Sequence, residues 1–344
     1  MVNQHLEEVF TVKAMGVACE AILVLLPAVA LKWNDGMDLA PVPTRAVALA
    51  DTPPAIPVAD RSPVVAEPIA TTPAADVAGA SPFPAGWAKG PVLAEAVAKA
   101  MAGFSGHYSV VVQELGSGQR WELDANRRYH PASTIKMPVT LYALEQYRAG
   151  KLGWQELIPY TPADFESPGG GAFETAPFGG KYPVENLVNR ALMYSNNVAV
   201  NMLGRYLDWD KIRSWSRTIQ GELYAGEDGR PEVTALSELG WWLHLNQVAE
   251  QDPKSAELLL SPLRQVAYDG RIAAGLPKGV KYLHKFGSYD GNFHDGGIIY
   301  VDKPYVLVVM TGGGGESEAD AAIARVSAAV YAVMTAPDGL KRLP

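Results

Sequence analysis

The chain has one cysteine, Cys19, in 344 residues, which excludes an internal disulfide framework and a cysteine-rich metal site. It has no block of like charge, and its net charge is −8. Nucleic-acid binding needs a basic face to neutralise phosphates, so no nucleic-acid partner is expected. No Gly-x-Ser-x-Gly occurs, and without it there is no nucleophile elbow of the Ser-His-Asp kind. The run Gly312–Gly315 has neither the Gly-x-Gly-x-x-Gly nor the Gly-Lys-Ser/Thr form. Glu316 follows it and would repel a phosphate, so the run reads as a tight turn. Aromatic residues are missing between Trp33 and Phe83, while ten prolines lie between Pro41 and Pro84. Proline at that density forbids regular helix and sheet, and so little apolar surface cannot offset the entropy of ordering the chain.

What is present divides the chain in three. Residues 14–31 form an apolar run preceded by Lys13, with Ala28-Val29-Ala30 and Ala48-Leu49-Ala50 as small-x-small cleavage candidates. Glu20 and Pro27 make the run a marginal membrane span, and Cys19 lies inside it instead of after it, which argues against a lipoprotein anchor. Residues 1–35 are therefore expected to be a signal peptide or membrane anchor, and 36–89 a disordered Pro/Ala-rich linker. The rest is expected to be secreted or membrane-anchored, outside the cytoplasm and in contact with the cell envelope.

A folded domain is expected over 90–337. Helical spacing marks Pro91–Gly103, and strands are expected at Tyr108–Leu115 and Gln119–Leu123 around the Gly116–Gly118 turn. A helix carrying Ser133 runs to Arg148, and Val184–Tyr206, Leu236–Ala249 and Ala256–Val266 are helical in spacing. Val280–Gly287, Gly297–Val301 and Tyr305–Met310 read as strands, and Glu318–Met334 as a closing helix. Strands, then helices, then strands again suit one antiparallel sheet completed by both ends, with a helical insert at about 150–268. Nearly half the residues (48%) are apolar, enough to fill such a core.

The chemistry centres on Pro131-Ala132-Ser133-Thr134-Ile135-Lys136-Met137. Residues three apart on a helix are neighbours, so the Ser133 hydroxyl and Lys136 amine can meet. A serine needs a base to become a nucleophile, and a desolvated lysine can serve. Alone, Ser-x-x-Lys more often marks a helix start with a solvated lysine. Tyr194-Ser195-Asn196-Asn197 alone would be a helix-joining turn, and Lys285-Phe286-Gly287-Ser288 a strand edge guarded by lysine. There Gly287 would let a substrate backbone approach closely. Ser-x-x-Lys, Ser-x-Asn and Lys-x-Gly in that order, on helix, insert and strand, are specific together.

With these motifs, and with His294-Asp295-Gly296-Gly297 after the third, the chain resembles the penicillin-recognising serine enzymes, in particular class A β-lactamase-like proteins, over roughly residues 91–337. The resemblance implies an α/β fold: a five-stranded antiparallel sheet flanked by helices plus an all-helical subdomain. It implies Ser133 as acylated nucleophile, Lys136 as its base and Ser195 as proton relay to the leaving nitrogen. Asn197 would hold the substrate's amide, Lys285 would supply positive field, and the N–H groups of Ser133 and Ser288 would form the oxyanion hole. No metal or organic cofactor is implied. The implied partner is a β-lactam or peptidoglycan-peptide-like small molecule, and the expected state is a monomer. Lys136 would need its pKa brought from near 10.4 to about 7, by burial and by Lys285.

Two departures stand out. The family's Glu-x-x-x-Asn loop after the second motif is missing, and Glu232 is the candidate deacylation base in its stead. Phe286 stands where the family has Thr or Ser, removing a hydroxyl that would bind the substrate carboxylate. The expectation is an acyl-enzyme on Ser133 with slow deacylation. The alternatives are a penicillin-binding D,D-peptidase or a non-catalytic wall-binding module of the same fold.

Overall fold

The computed structural model describes residues 87–337. The expected leader over 1–35, nearly all of the linker over 36–89, and Cys19 lie outside the described residues.

Helix α1 (Gly90–Ala100) leads into the strands β1 (His107–Glu114) and β2 (Arg120–Leu123). A 3₁₀ turn (Ala132–Ile135) passes directly into α2 (Lys136–Arg148). A long loop follows between the strands of a short ribbon, β3 (Leu157–Pro159) and β4 (Lys181–Pro183). Helices α3 (Val184–Met193), α4 (Asn197–Leu207) and α5 (Trp209–Thr218) come next. A second ribbon, β5 (Tyr224–Ala225) with β6 (Pro231–Glu232), precedes α6 (Ala235–Gln251) and α7 (Pro253–Leu263). The chain then returns through β7 (Lys281–Tyr289), β8 (Asn292–Tyr300), β9 (Tyr305–Gly312) and α8 (Glu316–Thr335).

Five strands form one antiparallel sheet in the order β2-β1-β9-β8-β7. As expected, both ends of the domain meet in it: β1 pairs with β9 from His107↔Gly312 to Glu114↔Tyr305. β9 explains the architecture. It is buried along its whole length, so its alternating residues serve two cores. Val306, Val308 and Met310 pack towards α2, α3, α4 and α6, while Tyr305, Leu307 and Val309 pack towards α1 and α8. Each such side chain contributes about 1.5–3 kcal/mol on burial.

Two local features differ from the expectation, and a third, Pro138, has a simple reason. The helical spacing of 184–206 runs through a break at Tyr194–Asn196, where Asn196 Oδ1 caps α4 by accepting from Ala199 N at 2.8 Å. Its capping competes with helix continuation. The expected strand at 280–287 extends to Tyr289 and turns through Asp290-Gly291 into β8, so His294-Asp295-Gly296-Gly297 lies inside a strand. Pro138 is the third residue of α2, where an N–H has no intrahelical acceptor to lose.

Candidate active site

The 3₁₀ turn sets the nucleophile pair. Side chains three apart eclipse in a 3₁₀ turn, and Lys136 Nζ donates to Ser133 Oγ at 2.7 Å. The turn is held on several sides. Ala132 N donates to His130 Nδ1 (3.0 Å), and Thr134 Oγ1 donates to Pro131 O (2.7 Å). His294 Nδ1 accepts from Thr311 N at 3.2 Å, which leaves Nε2 to donate to His130 O at 2.9 Å. Burial pushes His294 down to about 4, so its ring stays neutral and keeps this tautomer. Ala132 at φ 48° and Ser195 at φ 55° both occupy the left-handed region without being glycine. Each costs on the order of 1–3 kcal/mol and persists only where surrounding structure imposes it.

Lys136 is 2% exposed. Burial lowers its pKa from 10.5 to about 7, against the pull of the Glu166 carboxylate. Burial is the cause that was expected; Lys285, the other expected cause, does not contribute, and the carboxylate opposes the shift. Lys285 is itself buried and pushed well below its ordinary value, first by burial and then by Lys136. Its Nζ donates to Ser195 Oγ at 3.1 Å and to Phe286 O at 2.9 Å, and sits 4.3 Å from the Phe286 ring centroid. Behind it, His284 lies between Asp295 and Asp269. Burial would lower its pKa, but the two carboxylates prevail and raise it to about 9. Burial also raises the Glu238 carboxyl, under Thr134, to about 8.

The sheet and the nucleophile turn touch at Gly287. A Cβ there would lie 2.8 Å from Ser133 N and 3.0 Å from Thr134 N. Gly287 was expected to admit a substrate backbone; the backbone it admits is the protein's own. The Ser288 hydroxyl accepts from Arg271 NH2 at 2.6 Å and donates to Glu316 Oε1 at 2.7 Å.

Ser133, Lys136, Ser195, Asn197, Lys285, Gly287 and Ser288 therefore come together. Glu232 does not join them. It lies in the β5–β6 ribbon, 3.6 Å from Arg128, because the ribbon turns it towards the Tyr129–Val233 side of the fold.

A different carboxylate takes part, one the sequence reading missed. Asn197 bridges the base to it: Oδ1 accepts from Lys136 Nζ at 2.7 Å while Nδ2 donates to Glu166 Oε1 at 2.6 Å. One helical turn on, Asn201 Nδ2 donates to Glu166 Oε2 at 3.0 Å. Glu166 belongs to the loop between β3 and β4, and that loop is braced at both ends. Asp164 accepts from Arg205 Nε (2.7 Å) and from Thr161 N (2.8 Å). Glu174 gathers the N–H groups of Gly169, Gly170 and Gly171 at 3.1–3.2 Å. Gly169, at φ 112°, has room for nothing larger, since a Cβ would lie 2.5 Å from Asn197 Nδ2. The sequence did hold one cue: Asn197 and Asn201, four apart, put two amides on one face of α4. Among the described residues no group of three or more His, Cys, Asp or Glu side chains could hold a metal ion.

Comparison with known proteins agrees with this fold. The model of the β-lactamase enzyme family matches residues 92–334. A β-lactamase from Sphaerobacter thermophilus is 21% identical over 72% of this chain and 98% of its own, with TM-score 0.64. PBP-A is 19% identical over 71% and 96%, with TM-score 0.65. An ancestral class A β-lactamase is 23% identical over 71% and 98%, with TM-score 0.60. No curated protein sequence matches the chain. The family match spans well over half the chain and covers every element of the Ser133 cluster, so the chain belongs to the β-lactamase enzyme family.

Proposed function

We propose that the protein is a serine hydrolase that acylates Ser133 with β-lactams or related esters and amides and then hydrolyses the acyl-enzyme. The observation that carries this reading is the unbroken line Ser133 Oγ–Lys136 Nζ–Asn197–Glu166, with links of 2.7, 2.7 and 2.6 Å. Neutral Lys136 takes the Ser133 proton as Oγ attacks the carbonyl carbon. The N–H groups of Ser133 and Ser288 stabilise the oxyanion, and Ser195, next to Lys285, protonates the leaving atom. Each oxyanion donor is worth roughly 10²–10³ in rate. Slow deacylation was expected because no water-activating carboxylate was in view. Glu166 removes that ground: its carboxylate lies beside the acylation base, so turnover is the better reading. The acylation step alone is supported by a mutant of PBP-A, with the same fold, that was solved as an acyl-enzyme complex with penicillin G.

The test is intact-mass spectrometry over time with a penicillin and with an activated acyl ester, alongside product analysis. A transient adduct with product accumulating supports the reading. No adduct and no product from either compound would refute it.

Two predictions arise here. Lys136, with its pKa near 7, is competent when neutral. Single-turnover acylation should therefore rise through about pH 7 and fall about tenfold per unit below it. A flat profile between pH 5 and 8 would remove Lys136 as base. Gly287→Ala should slow acylation by at least about 100-fold, since its Cβ meets backbone and shifts the Ser288 N–H. Acylation kinetics on the folded variant check this; unchanged rates would place the oxyanion donors elsewhere.

A further inference from the structure

The wall beside Ser195 is built from Lys285–Ser288 of β7, with Arg271 and Tyr268 against it. Its side-chain hydrogen-bond donors are already taken. A guanidinium has five N–H groups, and Arg271, fully buried, places all five. Nε donates to Asp320 Oδ1 (2.7 Å); NH1 to Gly287 O (2.7 Å) and His294 O (2.8 Å). NH2 donates to Ser288 Oγ (2.6 Å) and Glu316 Oε1 (3.3 Å). The Ser288 proton goes to Glu316 at 2.7 Å. Lys285 is spent on Ser195, on the Phe286 carbonyl and against the Phe286 ring.

What this wall offers instead is aromatic and acidic. Phe286 and Tyr268 are half-buried, their ring centroids 4.8 Å apart. The two carboxylates of Glu316 and Asp320 outnumber the one guanidinium they bind. An anion docking against Phe286 and Tyr268 would lose its water, find no free side-chain donor to replace it, and meet two carboxylates.

Resting on the serine acyl-transfer reading above, we propose that the enzyme prefers acyl donors whose leaving group is uncharged and apolar or aromatic, and discriminates against leaving groups bearing a carboxylate, so that a penicillin, whose carboxylate lies on the leaving side, is a poorer donor than an ester with an uncharged leaving group. In the reaction the bond from Ser133 Oγ to the acyl carbon forms as the bond from that carbon to the leaving oxygen breaks. Lys136 takes the Ser133 proton, and Ser195 gives one to the leaving oxygen.

The test uses two esters of phenylacetylglycine, one with phenol and one with 3-hydroxybenzoic acid. The two leaving oxygens are close in basicity, so they differ chiefly in the carboxylate. The phenol ester should have kcat/KM about 10- to 100-fold higher, the range an apolar pocket commands between close analogues. Phe286→Thr should move the ratio at least about tenfold towards the acid, while Phe286→Leu should keep the wild-type preference. A wild-type ratio near one, or in favour of the acid, overturns the proposal whether or not either variant folds. If both esters label Ser133 equally, only the leaving-group proposal falls. If neither ester gives an adduct or a hydrolysis product, the acyl-transfer reading falls and takes this proposal with it.

Discussion

Glu166→Gln should trap the acyl-enzyme. The glutamine side chain has nearly the same size and can still meet Asn197 and Asn201, but it cannot accept a proton from water. Loss of a general base costs roughly 10²–10⁴-fold in rate. Steady-state turnover should fall by that factor, while the burst of acylation keeps its full amplitude. Intact mass should show one persistent adduct in the variant and a fleeting one in the wild type. The sign of the change separates chemistry from scaffolding: a loop that merely braces the cleft would, when damaged, weaken acylation as well. Turnover in Glu166→Gln equal to wild type would show that another group activates the water.

Ser133→Ala should abolish the adduct altogether, with penicillin and activated ester alike, because no other serine in the cluster has a neutral amine 2.7 Å from its hydroxyl. Lys136→Ala should keep the hydroxyl but lose its base, lowering single-turnover acylation by roughly 10²–10⁴-fold and removing the rise through about pH 7. Equal labelling of Ser133→Ala and wild type would mean that the adduct forms elsewhere and would sink the nucleophile assignment.

The parts legible in sequence were those set by local pattern. β9 reads as a buried strand because its residues are apolar without a break. Ser-x-x-Lys reads as a pair because three-residue spacing alone brings the side chains together. The parts that stayed hidden depend on partners distant in sequence. Glu166 sits in a glycine-rich loop with no periodicity, and its role comes from Asn197 and Asn201, more than 30 residues away. Glu232 was the candidate because it follows the second motif, where the family's Glu loop is missing, but the β5–β6 ribbon ties it to Arg128. Gly296, followed by Gly297, hid the first half of β8 because glycine ordinarily weakens a strand, and the expected strand began only at Gly297. Here Gly296 lies under Trp242 and Gly297 against His284, where a Cβ would collide.

Because β1 pairs with β9 and Lys285–Ser288 comes from β7, the working cluster is a product of late synthesis. A ribosome that has made Ser133, Lys136, Ser195 and Asn197 has made most of the chemistry but none of the wall opposite. Closing a loop of some 200 residues between β1 and β9 carries a high entropy cost and makes slow, cooperative assembly the expectation. Until that closure the serine has no oxyanion donor from Ser288, so the growing chain cannot react prematurely with an electrophile. Covalent labelling of Ser133 would thus report completion of the sheet, and a chain truncated before β7 should remain unlabelled even where its helices have formed.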